Sequence, residues 1–255
     1  MGKLTLAVIT LNEEENIGRC IRSVPFASEI IVVDSGSTDT TVEKAKELGA
    51  VVHHNKWPGY GAQKAFAADK ASGDWILSLD ADEWLSPELA EEIRGVVEAV
   101  APGVFSMPRL SYFLGRPIRH GGWFPDRQTR LYGKGSAHWD PGESIHESLK
   151  ADSPVRKLRG VLFHEPFSSV KEQVDVNFRY AGLLAERKYA AGRRIKSPAW
   201  IAFRALVKFA ENYIWKAGFL DGLPGFIIAF NSAQSYLVQL HGIYSRTVDP
   251  GTESK

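Results

Sequence analysis

Two carboxylates one residue apart, Asp80 and Asp82, are the side chains of this sequence best placed to do chemistry. They follow the largely apolar run 75–79, which predicts a buried strand. Because side chains alternate along a strand, we expect both carboxylates on the same side, where they repel each other. A hard divalent cation bound by oxygen ligands would relieve that repulsion and could then bind a diphosphate. The alternative interpretation is a pair of solvated acids that open a turn.

Strand and helix patterns alternate over the first hundred residues. Strands are predicted at 4–10, 29–34, 50–53 and 74–79, and helices at 14–23, 39–48, 61–71 and from Ser86 onward. Such alternation implies right-handed crossovers and a mainly parallel sheet, so the predicted fold class is α/β. Ligands of these sheets bind beyond the carboxyl ends of the strands. Polar residues stand at those ends: Thr10, Asn12, Asp34, Ser35, Asp80 and Asp82.

The alternation stops at about residue 103. Gly, Pro, aromatic and Arg residues are dense from 103 to 165, which is typical of loops that shape a binding cleft. From about 168 the pattern is helical to the end. We therefore expect one domain over 1–165 and a helical region over 166–255.

Composition and charge exclude several classes of protein. The net charge of +1 over 255 residues is not that of a nucleic-acid-binding protein. Residues 1–150 hold 16 basic and 21 acidic side chains, whereas 151–255 hold 15 basic and 9 acidic ones. The single Cys20 allows no intrachain disulfide and fits a reducing compartment. We expect neither a secretory signal nor a transmembrane helix, which needs about 18 consecutive apolar residues.

Three blocks of sequence together resemble family 2 glycosyltransferases, which have the GT-A fold. The blocks are LAVITLNEE at 6–14, VVDSGSTDTT at 32–41 and LDADE at 79–83. Three later segments, at 130–132, 145–147 and 218–225, resemble a narrower branch that includes the bacterial lipopolysaccharide core β-1,4-glucosyltransferases. Domain 1–165 is then expected to be the GT-A catalytic domain.

The resemblance implies that a hexose is transferred with inversion from a nucleoside diphosphate sugar, with UDP-glucose as the expected donor and Mg²⁺ or Mn²⁺ as cofactor. It makes Asp82 the direct metal ligand and Asp80 a contact to the ribose or to a water. It places four residues near the nucleoside: Thr10, Asn12, Glu13 and Asp34. For Asp34 the alternative is a structural one, in which the carboxylate satisfies the turn that follows.

Three further residues are candidates for the site. Lys64 lies near the start of the predicted helix 61–71, where it reaches a phosphate or else belongs to a solvated helix face. His164 ends an apolar strand and is expected either to complete the metal shell or to be structural. Glu147 is the candidate general base, since an inverting transfer needs a carboxylate to take the acceptor proton. A surface role is its alternative, and its rivals are Asp126, Glu143 and Glu83.

Two arginines, Arg127 and Arg130, flank the segment that is expected to shape the cleft. A guanidinium group suits a phosphate or an anionic acceptor, and it equally suits an ion pair that stabilises the fold. Both interpretations stay open from the sequence.

The stretch 203–217 predicts an amphipathic helix. At 100° per residue, Phe203, Leu206 and Ile214 fall on an apolar arc, and Arg204 and Lys208 fall on the opposite side. Such a helix packs on the rest of the protein, forms a dimer, or attaches peripherally to an anionic membrane surface. Because acceptors of the family are often lipid-linked, we expect attachment.

The expected partners are a UDP-sugar donor and a lipid-linked or lipopolysaccharide core acceptor, with no nucleic acid. The expected location is cytoplasmic, peripheral on the cytoplasmic face of the inner membrane. The alternatives are transfer to a polyprenyl phosphate or a protein, a non-catalytic nucleotide- or carbohydrate-binding module, and a membrane-bound scaffold.

Overall fold

A computed structural model describes residues 2–99, 101–140 and 149–249 of the protein. Their contacts form two compact units. Unit 1 runs up to Leu110 and resumes at Asp126–His164; unit 2 consists of Ser111–Pro125 and the chain from Glu165 onward. The sequence prediction placed 111–125 in the first domain, whereas the structure places it in the second unit. The reason is packing, since Phe113 and Ile118 share a buried cluster with Ile228 of unit 2.

Four parallel strands form one half of the unit 1 sheet, in the order β3-β2-β1-β4. They are β1 Leu4–Thr10, β2 Glu29–Asp34, β3 Val51–His54 and β4 Trp75–Asp80. The helices of this half are α1 Ile17–Arg22, α2 Thr41–Glu47, α3 Tyr60–Lys70 and α4 Pro87–Ala99. Every residue of β1 is buried, because β2 and β4 flank it and apolar clusters cover both faces of the sheet. The predicted α/β fold with a mainly parallel sheet is confirmed for this half.

The other half of the sheet is built by later strands, in the order β8-β6-β12-β5 after β4. These are β5 Glu83–Leu85, β6 Val104–Phe113, β8 Asp126–Gly133 and β12 Leu162–His164. The remaining strands are short: β7 Arg116–Pro117, β9 Ala137–Trp139, β10 Leu149–Ala151 and β11 Val155–Lys157. Strand β8 pairs antiparallel with both β4 and β6, and β12 pairs antiparallel with β5. The irregular region of the sequence therefore completes the sheet.

Strand register brings the polar strand ends together. In the parallel ladder Thr10 lies opposite Asp34, and Ile9 lies opposite Asp80. In the antiparallel pair of β5 and β12, Glu83 lies opposite His164. The carboxyl ends of β1, β2 and β4 thus meet at one edge of the sheet, as the alternating pattern indicated.

Unit 2 is helical, which confirms the predicted C-terminal helical region. Its elements are α5 Val170–Ala190, α6 Pro198–Ala210, a π-helix Glu211–Trp215, a 3₁₀-helix Gly218–Asp221 and α7 Gly222–Val248. The single helix expected over 203–217 is interrupted, because α6 gives way to the π-helix at Glu211. No helix within the described ranges is both long enough and apolar enough to cross a bilayer.

Close packing of two glycines in unit 2 gives a test of this architecture. A Cβ atom added to Gly225 in the first turn of α7 would lie 1.9 Å from the carbonyl oxygen of Gly218, whereas one added to Gly182 in α5 would meet nothing within 4 Å. We expect Gly225→Ala to lower the free energy of unfolding by about 1–3 kcal/mol. Gly182→Ala should raise it by about 0.5–1 kcal/mol, because alanine is favoured in a helix interior. Urea unfolding of both variants checks this pair, and equal effects would contradict the packing described.

Candidate active site

The acidic pair lies where β4 ends. Asp80 is the last residue of β4, Ala81 and Asp82 form a turn, and β5 begins at Glu83. The strand therefore ends too early for strand alternation to place both carboxylates, and that part of the sequence argument is wrong. The two side chains have different partners, so each carboxylate is held in its own way.

Two cations hold the carboxylate of Asp80. Arg130 Nη2 donates to Asp80 Oδ2 at 2.8 Å, and Lys64 Nζ lies 3.0 Å from Asp80 Oδ1. Lys64 is fully buried, and its ammonium group lies 5.1 Å from the centre of the Trp139 ring. Of the two alternatives that the sequence left for Lys64, a phosphate contact or a solvated helix face, the solvated face is therefore wrong. A buried ammonium group needs an opposite charge nearby, and Asp80 supplies it.

Glu83 lies beneath the turn and is fully buried. Its Oε1 accepts from Arg130 at 2.8 Å and from Arg109 at 2.9 Å, and its Oε2 accepts from the backbone N–H of Asp80 at 3.1 Å. Burial by itself raises the pKa of this carboxyl, but Arg130 and Arg109 lower it more, so the pKa is held well below its usual range. Glu83 is thus an ionised anchor, and a carboxylate of this kind is a poor general base.

Arg109 of β6 links Glu83 to a further carboxylate, Asp126 of β8. It donates to Asp126 Oδ2 through Nε at 3.0 Å and through Nη2 at 2.7 Å. Acidic and basic groups therefore alternate from Asp80 through Arg130, Glu83 and Arg109 to Asp126. We call these five residues, together with Lys64, the charge ladder. Arg130 thus takes the ion-pair role that the sequence left open.

Asp82 and His164 meet on the other side of the turn. His164 Nε2 lies 3.3 Å from Asp82 Oδ2, because β12 pairs with β5 and brings His164 beside the turn. Asp82 Oδ1 is buried, and no hydrogen-bond donor within the described ranges reaches it. A buried carboxylate oxygen with no donor, next to an imidazole nitrogen, is a ligand pair that suits a divalent cation.

The pair does not make a complete metal site by itself. Among the residues that the structure describes, no group of three His, Cys, Asp or Glu side chains is arranged to hold a metal ion. A cation at Asp82 and His164 would therefore need further ligands from a bound diphosphate or from water, as magnesium sites at phosphates commonly have.

The residues predicted near the nucleoside lie in and around the loop after β2. Asp34 accepts from the backbone N–H of Gly36 at 2.9 Å, and from the N–H and hydroxyl of Ser37 at 3.1 and 2.6 Å. Burial raises the pKa of Asp34, but the hydrogen bonds from Ser37 and Gly36 outweigh burial and lower it overall. The turn role that the sequence offered as the alternative is therefore present.

Asn12 and Glu13 connect the loop after β1 to the same segment. Asn12 has a left-handed φ of 55°, donates its N–H to Ser37 Oγ at 2.8 Å and accepts from the Thr38 N–H at 2.8 Å. The Glu13 N–H donates to Thr41 Oγ1 at 2.8 Å. These bonds make the two loops one rigid rim, and they bring the first two sequence blocks into contact.

Thr10 has a buried hydroxyl at the end of β1. It lies opposite Asp34 in the parallel pairing of β1 with β2. No hydrogen-bond partner for its Oγ1 exists among the described residues. Such a group normally has a partner, so Thr10 marks a position where a bound ligand or water belongs.

Two more side chains, Gln63 and Arg109, connect elements around this edge of the sheet. The sequence offered Gln63, like Lys64, as a phosphate contact or as part of a solvated helix face, and it did not point to Arg109. Gln63 is fully buried and donates to Ser35 Oγ at 2.9 Å, which ties α3 to the loop after β2. Arg109 was not considered, although a charged residue inside the apolar run 104–113 signals a partner in the fold. Glu147 and its rival Glu143 lie outside the described residues.

Comparisons with known proteins show which proteins this chain is similar to. The model of glycosyl transferase family 2 matches residues 5–149. Lipopolysaccharide core biosynthesis glycosyltransferase LpsC of Rhizobium meliloti is 30% identical over 95% of this chain and 94% of that protein. An uncharacterized glycosyltransferase of Rickettsia felis is 51% identical over 89% of this chain and 84% of its own.

Two solved structures are similar at lower levels. Residues 1–349 of S. aureus TarS match 94% of this chain and 90% of that chain, with 16% identity and a TM-score of 0.49. Glucosyl-3-phosphoglycerate synthase from Mycobacterium tuberculosis, crystallised with Mn²⁺, UDP and glucosyl-3-phosphoglycerate, matches 44% of each chain with 26% identity and a TM-score of 0.37.

The charge ladder predicts a large effect of removing its central carboxylate. In Glu83→Gln, the buried Arg130 and the partly buried Arg109 lose their shared anion, so we expect the free energy of unfolding to fall by about 3–5 kcal/mol at neutral pH. Glu98→Gln, which changes an exposed carboxylate in α4, should stay within about 0.5 kcal/mol of the parent. Guanidinium unfolding followed by tryptophan fluorescence measures both, and a stable Glu83→Gln protein would show that the ladder does not support the turn.

Proposed function

Since the chain belongs to glycosyl transferase family 2, we propose that it transfers one hexose, with inversion, from UDP-glucose to the core of lipopolysaccharide. The observation that carries this proposal lies at the edge where the parallel strands end. There Asp82, beside His164, has a buried oxygen with no hydrogen-bond partner among the described residues. The similarity to LpsC over nearly the whole chain supports the acceptor class. The donor follows from the resemblance of the three N-terminal blocks.

Asp82 and His164 would hold Mg²⁺ or Mn²⁺. When bound, the ion offsets the negative charge that grows on a departing diphosphate. The protein contributes by fixing both ligands before the donor arrives. The charge ladder holds the turn that contains Asp82, and β12 holds His164. Pre-positioned groups of this kind lose little conformational freedom on binding.

Asp80 is assigned to the ribose or to a water beside the metal. Its carboxylate is clamped between Arg130 and Lys64, so its position is set independently of the donor. Lys64, which the sequence assigned to nucleotide binding, acts in this proposal through Asp80, because its ammonium group is enclosed. Thr10, Asn12, Glu13 and Asp34 form the rim on the nucleoside side.

Glu147 is proposed as the general base that takes the proton from the acceptor hydroxyl. Two of its rivals are already engaged, because Glu83 and Asp126 both accept hydrogen bonds from Arg109. The segment 145–147 is also one of those that resemble the narrower branch of the family.

The proposed acceptor is amphiphilic, so we place the enzyme peripherally on the cytoplasmic face of the inner membrane.

A polyprenyl phosphate or protein acceptor would leave the donor site unchanged. Radiolabelled transfer to isolated core oligosaccharide, polyprenyl phosphate and protein fractions separates these acceptors, and label in either of the last two alone would contradict the proposed one.

Metal-dependent donor binding is the first prediction from this proposal. We expect UDP or UDP-glucose with Mn²⁺ to raise the melting temperature, because a ligand at a hundred times its Kd adds about 2.7 kcal/mol of stability. Asp82→Asn should abolish the part of the shift that depends on Mn²⁺. The matched control Asp152→Asn, at an exposed aspartate, should keep the full shift. If UDP raised the melting temperature equally with and without Mn²⁺, and equally in the parent and in Asp82→Asn, the metal assignment would be overturned.

The general base gives a second prediction. Glu147→Gln should lower kcat for transfer by about 10²–10⁴-fold, because proton abstraction contributes that much to typical reactions. The UDP–Mn²⁺ thermal shift of the variant should remain as in the parent, since this residue is not assigned to donor binding. Retained transfer activity in Glu147→Gln would exclude Glu147 as the base. If the parent protein binds the donor but never cleaves it, the protein is a binding module and not an enzyme.

A further inference from the structure

The helices of unit 2 carry large apolar side chains on their solvent side. Six of them define what we call the apolar face: Phe203, Leu206, Trp215, Leu220, Leu223 and Phe226. Leu206 is 71% exposed, Trp215 70% and Leu223 67%. Single exposed leucines are ordinary, but a concentration like this within 24 residues marks an interaction surface.

Ring contacts join aromatic side chains of these elements next to the apolar face. Phe226 of α7 lies 5.9 Å from Phe209 of α6 and 5.7 Å from Tyr213 of the π-helix, measured between ring centres. Tyr213 in turn lies 6.3 Å from Phe219 of the 3₁₀-helix. Side chains from all four elements therefore meet in a single aromatic cluster that borders the apolar face.

Unit 2 has a buried apolar core of its own, formed by Ile195, Ile201, Leu240 and Ile243. Near the apolar face the buried residues are small, and Gly225 approaches Gly218 so closely that no side chain fits between them. Part of the apolar arc predicted over 203–217, including Phe203 and Leu206, is therefore exposed.

Basic residues are concentrated in the segment that leads into the apolar face and carries part of it. Between residues 193 and 216 the chain has six basic side chains and one acidic one, Glu211. At the start of α6, an open depression of about 390 Å³ is lined by Arg193, Arg194, Lys196 and Trp200, with Ile195 and Ser197. Basic groups beside exposed tryptophan are the combination that suits the headgroup layer of an anionic membrane.

We propose that the apolar face inserts into the interface of an anionic lipid bilayer, while the basic depression binds headgroup phosphates. A second copy of the chain fits less well, because a two-fold interface would set the same basic residues against each other. The inference deepens the proposed location of the enzyme and rests on the proposed function for its setting. It concerns only residues of unit 2.

Flotation with vesicles tests the surface directly. The full-length protein should float with vesicles that contain phosphatidylglycerol, and weakly or not at all with pure phosphatidylcholine. High salt should reduce flotation, since each basic residue near the surface contributes about fivefold to the partition coefficient at low salt. Leu206→Glu combined with Leu223→Glu should abolish flotation. Phe178→Glu, at an exposed residue of α5, is the matched control and should float as the parent does.

Three results would overturn the inference: no flotation of the parent, equal flotation of the parent and the double variant, or a parent dimer that the double variant converts to a monomer without any change in flotation. Circular dichroism and melting temperature confirm that the variants are folded, which is expected because both leucines are exposed. The UDP–Mn²⁺ thermal shift is measured on the same samples. A normal shift without flotation rejects the surface alone, whereas flotation without a shift rejects the proposed function alone.

Discussion

The buried carboxylate of Glu83 is the constraint on which the rest of the candidate site depends. A charge with no access to water must be paired, and here two arginines and a backbone N–H pair it. Arg130 comes from β8 and Arg109 from β6, so strands that are distant in sequence must meet beneath one turn. Because the N–H belongs to Asp80, the same contact sets where β4 ends. The direction of Asp82 follows from that turn.

The rim of the site depends on a second set of polar contacts, made by the backbone. Asp34 and Asn12 use their side chains to close the loop after β2, and Gln63 ties that loop to α3. These bonds fix the conformation of the loop without any ligand. The buried hydroxyl of Thr10 and the buried oxygen of Asp82 differ from them, since neither has a hydrogen-bond partner among the described residues. At these two positions a bound ligand or water would supply the missing hydrogen-bond or metal partner.

The two units differ in how many large apolar side chains they leave exposed. In unit 1, such side chains fill the space between sheet and helices, as in an ordinary α/β core. In unit 2, Ile201, Leu240 and Ile243 share a buried cluster, but many leucine and aromatic side chains of α6, the 3₁₀-helix and α7 stay exposed. Exposure of so much apolar surface to water is unfavourable in free energy, and a partner that covers it would relieve that penalty.

The sequence by itself determined the α/β class, the order of the first strands and helices, and the meeting of Thr10, Asp34 and Asp80 at one edge. These follow from local periodicity and from the rule that parallel strands end on the same side. It also singled out Asp82 and His164, which lie 82 residues apart and come into contact in the fold.

Only the tertiary structure decided what each charged side chain contacts. The sequence offered Lys64 a phosphate or a solvated helix face, and the fold encloses it against Asp80. It did not point to Arg109. It left open which way the apolar arc of 203–217 faces, and the fold leaves Phe203 and Leu206 exposed. The reason is physical: the pairing of a buried charge depends on strands that are far apart along the chain. Which side of an amphipathic helix is buried depends on the shape of its neighbour, and neither quantity is written in local sequence.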